Sequence, residues 1–335
     1  MKAKYLIIIA IFFVGHHFAN AQLGTRPNII FDTDMGPDYD DVGAIAVLHA
    51  LADSNKANIL ATIASTKYEG VGEVLDVLNR YFGRPTVPIG VPKGEAVSKK
   101  DHQGWSDTIR KKYPHAGRSN EDFEDAVKLY RRLLAQQPDS SVTIVTVGFM
   151  TNLADLLSSL PDEQTALTGS DLVRKKVKLL VSMAGRFPSG REFNIHEDAP
   201  SAKTVFDNWP TPVILSGFEI GMKVKTGLPL INNKTIVNSP VKDVFRISIP
   251  MSAQDSLGRM SWDQTAVMVA INGTQPFYYL EYGTMSIATD GSNTWDTTGN
   301  KHARLVEQLP TTEVEAYINK LMQHQPVQGR NTETR

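Results

Sequence analysis

Apolar residues in this chain gather into short runs, and between the runs they recur at helical spacing. Ile29-Ile30-Phe31 is the first run and predicts a short buried strand. Val42, Ile45, Ala46 and Leu48 then begin a helical apolar stripe. The alternation continues: residues 57–65 predict a strand, 71–82 a helix, 87–91 a strand, 121–136 a helix and 141–147 a central strand. Val177–Met183 and 212–216 read as further strands, with a helix over 198–207 between them. Residues 238–260 carry weak helical patterning around a mobile middle, SAQDSLGRM, and a new helix opens at Ser261-Trp262-Asp263. One or two strands over 277–288 and a helix over 312–322 close the pattern. Residues 93–120 are polar and irregular, which predicts a long loop with Trp105 and His115 as candidates to cover a pocket. Strands alternating with helices argue for an α/β fold, an open and mostly parallel (mixed) sheet flanked by helices. Such sheets bind ligands outside the carboxyl ends of their strands.

Length and composition change that picture in two places. The chain has 335 residues, 41% of them hydrophobic, enough for one large α/β domain, which we expect over 22–325. Residues 1–21 read as a signal peptide: Lys2 and Lys4, an apolar run to Val14, and an Ala19-Asn20-Ala21 cleavage site. The run is too short to span a bilayer, so the expectation is a secreted protein, placed in a bacterial periplasm, with no membrane attachment after cleavage. Residues 326–335 read as a polar, flexible tail. Removing Lys2 and Lys4 from 35 basic residues set against 36 acidic ones leaves a net charge of about −3. No basic patch stands out, so nucleic acid is not an expected partner. The chain has no cysteine, which excludes disulfides and thiol catalysis.

The chemistry concentrates where the first strand ends. Asp32, Asp34, Asp38, Asp40 and Asp41 crowd around a Gly36-Pro37 turn, at the junction with the first helix. Two like charges ~4 Å apart repel by about 4 kcal/mol at an effective dielectric near 20. One or two acids could cap a helix, but five must protonate, splay into water as a solvated acidic turn, or hold a cation. Carboxylates without His or Cys beside them favour a hard ion such as Ca²⁺ or Mg²⁺. An EF-hand beginning at Asp32 fails, because its twelfth position is Gly43 rather than Glu. A haloacid-dehalogenase-like, Mg²⁺-dependent phosphohydrolase also opens with Asp-x-Asp after a strand. It would want a hydroxyl residue near Gly36-Pro37, so it stays a lesser alternative.

The stretch DTDMGPDYDDVGAI resembles the N-terminal signature of the inosine–uridine-preferring nucleoside hydrolase family, Asp-x-Asp-x-Gly-x-Asp-Asp, with two extra residues before Asp40-Asp41. Three later segments resemble the family in the same order. Gly148-Phe149-Met150-Thr151-Asn152-Leu153-Ala154 is similar to its Gly-Pro-Leu-Thr-Asn-Leu-Ala turn, Glu192-Phe193-Asn194-Ile195 to its Glu-Phe-Asn-Ile, and Trp262-Asp263 to its His-Asp. The resemblance implies a Rossmann-like, nucleoside hydrolase-like fold and calcium-dependent hydrolysis of the N-glycosidic bond of ribonucleosides to ribose and free base. It implies Ca²⁺ held by Asp34, Asp41, Asp263 and the Thr151 carbonyl, with Asp34 as general base and Asp32 orienting the ligands from behind. Asp40, Glu192 and Asn194 would bind ribose hydroxyls. The expected partner is a small-molecule nucleoside, and the assembly a homodimer or homotetramer.

Two departures bear on the mechanism. Trp262 stands where the family has His; it can stack on a base but cannot protonate one, which leaves His196 as a candidate acid. Arg186 stands six residues before Glu192, where the family often has Asn, and Asp38, in the inserted pair, has no role by resemblance. A non-catalytic periplasmic nucleoside- or sugar-binding protein is therefore the alternative from a different class.

Overall fold

The computed structural model describes residues 26–326, so the signal segment read over 1–21 and all but the first residue of the tail lie outside the described residues. An eleven-stranded sheet forms the framework. Its strands are β1 (Asn28–Thr33), β2 (Asn58–Ala64), β3 (Ile89–Val91), β4 (Glu124–Asp125), β5 (Val142–Thr146), β6 (Val177–Met183), β7 (Ser189–Arg191) and β8 (Val213–Ser216). After a separate two-stranded pair, β9 (Lys225–Thr226) with β10 (Arg259–Met260), come β11 (Tyr278–Ile287), β12 (Ser292–Asp296) and β13 (His302–Glu307). The order across the sheet is β4-β3-β2-β1-β5-β6-β8-β13-β11-β12-β7. Every pairing from β4 to β13 is parallel, and the β13–β11–β12–β7 edge is antiparallel. The expected mixed, mostly parallel sheet is therefore what the chain builds.

β1 shows why these residues choose this arrangement. Ile29 and Phe31 pack into a core on one face, with Val42, Leu48 and Val267. Ile30 packs into the core on the other, with Ile144, Leu153 and Leu172. A strand apolar at every position is one buried on both faces. Because β1 pairs with β2 on one side and β5 on the other, chain connections leave it in opposite directions. That reversal opens a crevice at the carboxyl ends of β1 and β5.

Three elements differ from the sequence reading. The helix Asp40–Asp53 is buried around its whole circumference as far as Leu51, not along one stripe. The helix Trp262–Asn272 lies against it, and a Cβ at Gly43 would sit 2.3 Å from Gln264 Nε2, so any larger residue there must displace the buried Gln264 side chain. Residues 93–120 are not one long loop: they contain the helix Trp105–Lys112, and Trp105 is fully buried in the core rather than covering a pocket. Residues 238–260 form the helix Pro240–Ser248, two 3₁₀ turns and β10.

Candidate active site

An open cavity lies at the carboxyl ends of β1, β5 and β6. Six carboxylates line it: Asp34, Asp38, Asp40, Asp41, Glu192 and Asp263. Val147, Met183, Phe193, Asn194, Phe218 and Trp262 complete the wall.

The acidic turn is shaped by its neighbours. Thr33 Oγ1 accepts from the Met35 amide at 3.1 Å and donates to Asp41 Oδ1. A Cβ at Gly148 would stand 2.3 Å from the Asp34 amide, so the turn after β5 presses directly on the turn after β1. Asp40 and Asp41 occupy the first turn of the helix Asp40–Asp53, where the positive end of the helix favours anionic side chains. Tyr39, at the N-cap, makes no capping bond, so neither acid is consumed as a cap. Asp40 Oδ1 accepts from Arg259 Nε at 3.2 Å and Nη2 at 3.1 Å.

Burial pushes the Asp34, Asp41 and Asp263 carboxyls well above the usual range, and the neighbouring carboxylates push further in the same direction. Asp40 is pushed up to about 6 by burial, with Arg259 opposing. Glu192 is pushed up to about 7 by burial, opposed by backbone amides: Asn194 N donates to it at 2.9 Å and Ile195 N at 3.2 Å, so this carboxylate caps the helix Phe193–Glu197. Asn194 Nδ2 donates to the Val147 carbonyl at 3.1 Å and the Met183 carbonyl at 3.3 Å, tying the segment to the ends of β5 and β6. Trp262 Nε1 donates to the Phe218 carbonyl at 2.7 Å, and its ring stacks on Phe218 at 5.2 Å.

The sequence-selected residues Asp34, Asp40, Asp41, Glu192, Asn194, Trp262 and Asp263 are thus brought onto one cavity, joined by Asp38. Asp32 stands behind it, fully buried and pushed up to about 7 by burial; its Oδ2 accepts from Tyr130 Oη and Asn152 Nδ2, each at 3.0 Å. Two candidates are not among the lining residues. Thr151 opens the helix Thr151–Ser158, and its hydroxyl donates to Asp198 at 2.7 Å. Val147, where β5 ends, stands on the wall instead. His196 is exposed, bonded by Arg191 Nη2 at 2.7 Å, and is not among the residues that line the cavity.

A metal ion suits the donor chemistry, which is all oxygen. Asp41 Oδ2 is buried without a hydrogen-bond partner, and the crowded carboxyls need a counter-charge. Among the described residues, however, no three acidic, His or Cys side chains stand as a finished metal cage. The sequence reading had missed Arg259, Phe218, Val147 and the Tyr130–Asn152 cradle. Arg259 lay in a segment without a clear pattern, and a backbone position or a ring contact leaves no compositional signal.

The chain matches the sequence family described as inosine-uridine preferring nucleoside hydrolase over residues 29–322. The pyrimidine-specific ribonucleoside hydrolase RihA of Citrobacter koseri is 29% identical over 211 residues, 59% of this chain and 62% of that protein. The RihA of Salmonella schwarzengrund is 28% identical over 230 residues, 64% of this chain and 68% of that protein. The match therefore spans under two thirds of the Citrobacter relative's length. Among solved structures, the inosine-uridine preferring nucleoside hydrolase from Bacillus anthracis superposes with a TM-score of 0.68 at 14% identity, over 89% of this chain and 99% of that one. The purine-preferring ribonucleoside hydrolase from Gardnerella vaginalis gives 0.66 at 19% identity, over 88% and 99%. At those identities the structural likeness is one of fold.

Proposed function

This chain belongs to the inosine-uridine preferring nucleoside hydrolase family, a family of N-glycosidases, and from that premise we propose that it hydrolyses ribonucleosides to ribose and free base with the help of a bound Ca²⁺. The observation that carries the reading is the cavity itself, where six carboxylates and the stacked Trp262–Phe218 pair share one wall. Carboxylates suit ribose hydroxyls and a positively charged sugar in the transition state. Flat rings suit a base.

In this reading Asp34, Asp41, Asp263 and the Val147 carbonyl are the donors for the ion. When bound, such an ion supplies positive charge that favours ionisation of a water at neutral pH. Asp34 takes the proton from the attacking water. Asp40, Glu192 and Asn194 hold ribose hydroxyls, and their fixed hydrogen bonds to Arg259, to backbone amides and to strand-end carbonyls keep them oriented before substrate arrives. Asp32, locked by Tyr130 and Asn152, holds the turn that carries Asp34. Trp262 stacks on the departing base. Among the described residues no histidine lines the cavity, and in this reading the base leaves by stacking and protonation from solvent. The leader read over residues 1–21 makes this an exported enzyme. The family assignment removes the phosphohydrolase alternative.

The test is reducing-sugar release from a panel of purine and pyrimidine nucleosides, with and without chelator, beside Asp34→Ala. We expect chelator-sensitive release that Asp34→Ala abolishes. Tight nucleoside binding with no release would instead establish the binding-protein alternative.

A further inference from the structure

Arg259 is not on the cavity wall, yet it touches both kinds of residue that are. Its side chain is buried to within 9% of full exclusion, and its guanidinium meets three carboxylates: Asp38, Asp40 at 3.1 Å and Asp255 at 3.8 Å. Two aromatic rings also meet it. The guanidinium carbon lies 4.9 Å from the centre of the Tyr39 ring and 5.0 Å from that of Trp262. Tyr39 is itself pinned, with its hydroxyl donating to Asp255 at 2.7 Å and its ring edge-on to Phe245 at 5.1 Å. One rigid cation therefore joins an acid on the acidic turn to an aromatic ring on the wall, and a fixed Tyr39–Asp255 pair holds it from behind.

We infer that Arg259 is a positioning residue that holds the ribose acceptor Asp40 and the base-stacking ring of Trp262 in a fixed relation, so that sugar and base are recognised as one coupled event. This rests on the ribonucleoside reading above. The chemistry requires arginine. A planar guanidinium donates to several carboxylates while lying over aromatic rings, and a lysine ammonium keeps the charge but loses the plane. Asp38, from the inserted pair, completes the clamp at the cavity's rim, where its side chain is 45% exposed. The competing account makes Arg259 a counter-charge for buried Asp255 and nothing more.

The two accounts separate by kinetics. Ribose release from inosine and uridine is measured for the wild type, Asp38→Asn, Arg259→Lys, Arg259→Met, Trp262→Ala and the Arg259→Met/Trp262→Ala double variant. Quenching of indole emission by free hypoxanthine and uracil is titrated alongside. Losing one charge-assisted hydrogen bond changes affinity roughly 10- to 100-fold, so KM should rise by that range in Arg259→Met, with kcat changing much less. Asp38→Asn should raise KM by a smaller factor at unchanged thermal stability. Arg259→Lys should recover stability without recovering KM. In the Trp262→Ala background the Arg259→Met penalty should shrink, because one arm of the clamp is already gone. Unchanged KM in both Asp38→Asn and Arg259→Lys, or fully additive losses in the double variant, would overturn the clamp in favour of the counter-charge. If Arg259→Met does not fold, Asp38→Asn and Arg259→Lys carry the test. If the wild type releases no ribose, the hydrolase reading fails, and the base titrations decide the clamp alone: quenching that is the same in wild type, Asp38→Asn and Arg259→Lys removes it.

Discussion

Thr151 and Val147 flank one turn, and they show what a motif can and cannot say about a side chain. The similarity of 148–154 to a family turn located the segment, which does end a strand beside the acids. It could not tell which carbonyl faces them, because that depends on where the strand stops and the helix begins. Thr151→Ala should cost about 1 kcal/mol of stability in urea unfolding through the lost bond to Asp198; an unchanged midpoint would remove that bond from the account. Asn152 makes the opposite case. Its Nδ2 bonds both Asp32 and the Ala64 carbonyl, so Asn152→Ala should cost about 1–3 kcal/mol in urea unfolding and lower ribose release with it.

Elements were legible wherever the hydrophobic pattern was unambiguous, as in β1, β5 and β6. They were not legible where burial is total. A helix buried all round has no polar face to mark it, and Asp40–Asp53 was read as a stripe for that reason. Its all-round burial depends on Gly43. Gly43→Ala places a methyl 2.3 Å from Gln264 Nε2 between two packed helices and should cost about 1–3 kcal/mol. Gly94→Ala, which meets nothing within 4 Å, is the control and should change stability little in the same unfolding experiment. The helix Trp105–Lys112 escaped because it is short and mostly polar, with little more than Trp105 and Ile109 to anchor it in the core.

The whole molecule carries charge that must stay neutral inside. His49 is fully buried, stacked on Phe82 at 4.6 Å and beside Arg84 Nη1 at 3.3 Å; burial first, then Arg84, push it down to about 3. Burial holds His302 down at about 4. The unfolded chain therefore binds these protons between pH 6.5 and those values while the folded chain does not. That contribution to stability is present above about 6.5 and is lost as pH falls toward 3–4. Asp32 and Glu192, pushed up to about 7, act with the opposite sign, so the informative quantity is a difference. Unfolding midpoints from pH 7.5 to 5 should fall less steeply in His49→Gln than in the wild type; parallel curves would remove His49 from the account.

By itself the sequence determined the fold class, the location of the acids at a strand-to-helix junction, and the segments that meet them. The first two follow from local periodicity and from residue chemistry, which neighbours along the chain are enough to specify, and the segments from their resemblance to the family's motifs. Tertiary structure alone decided which further residues join them: Val147 and Phe218 on the wall, Tyr130 and Asn152 on Asp32, and Arg259 between Asp38, Asp40 and Trp262. Orientation is set by how strands from distant parts of the chain align. Asp32 pairs across the sheet with Thr146, and Arg259 reaches Asp40 from more than two hundred residues away. No local pattern encodes such a meeting.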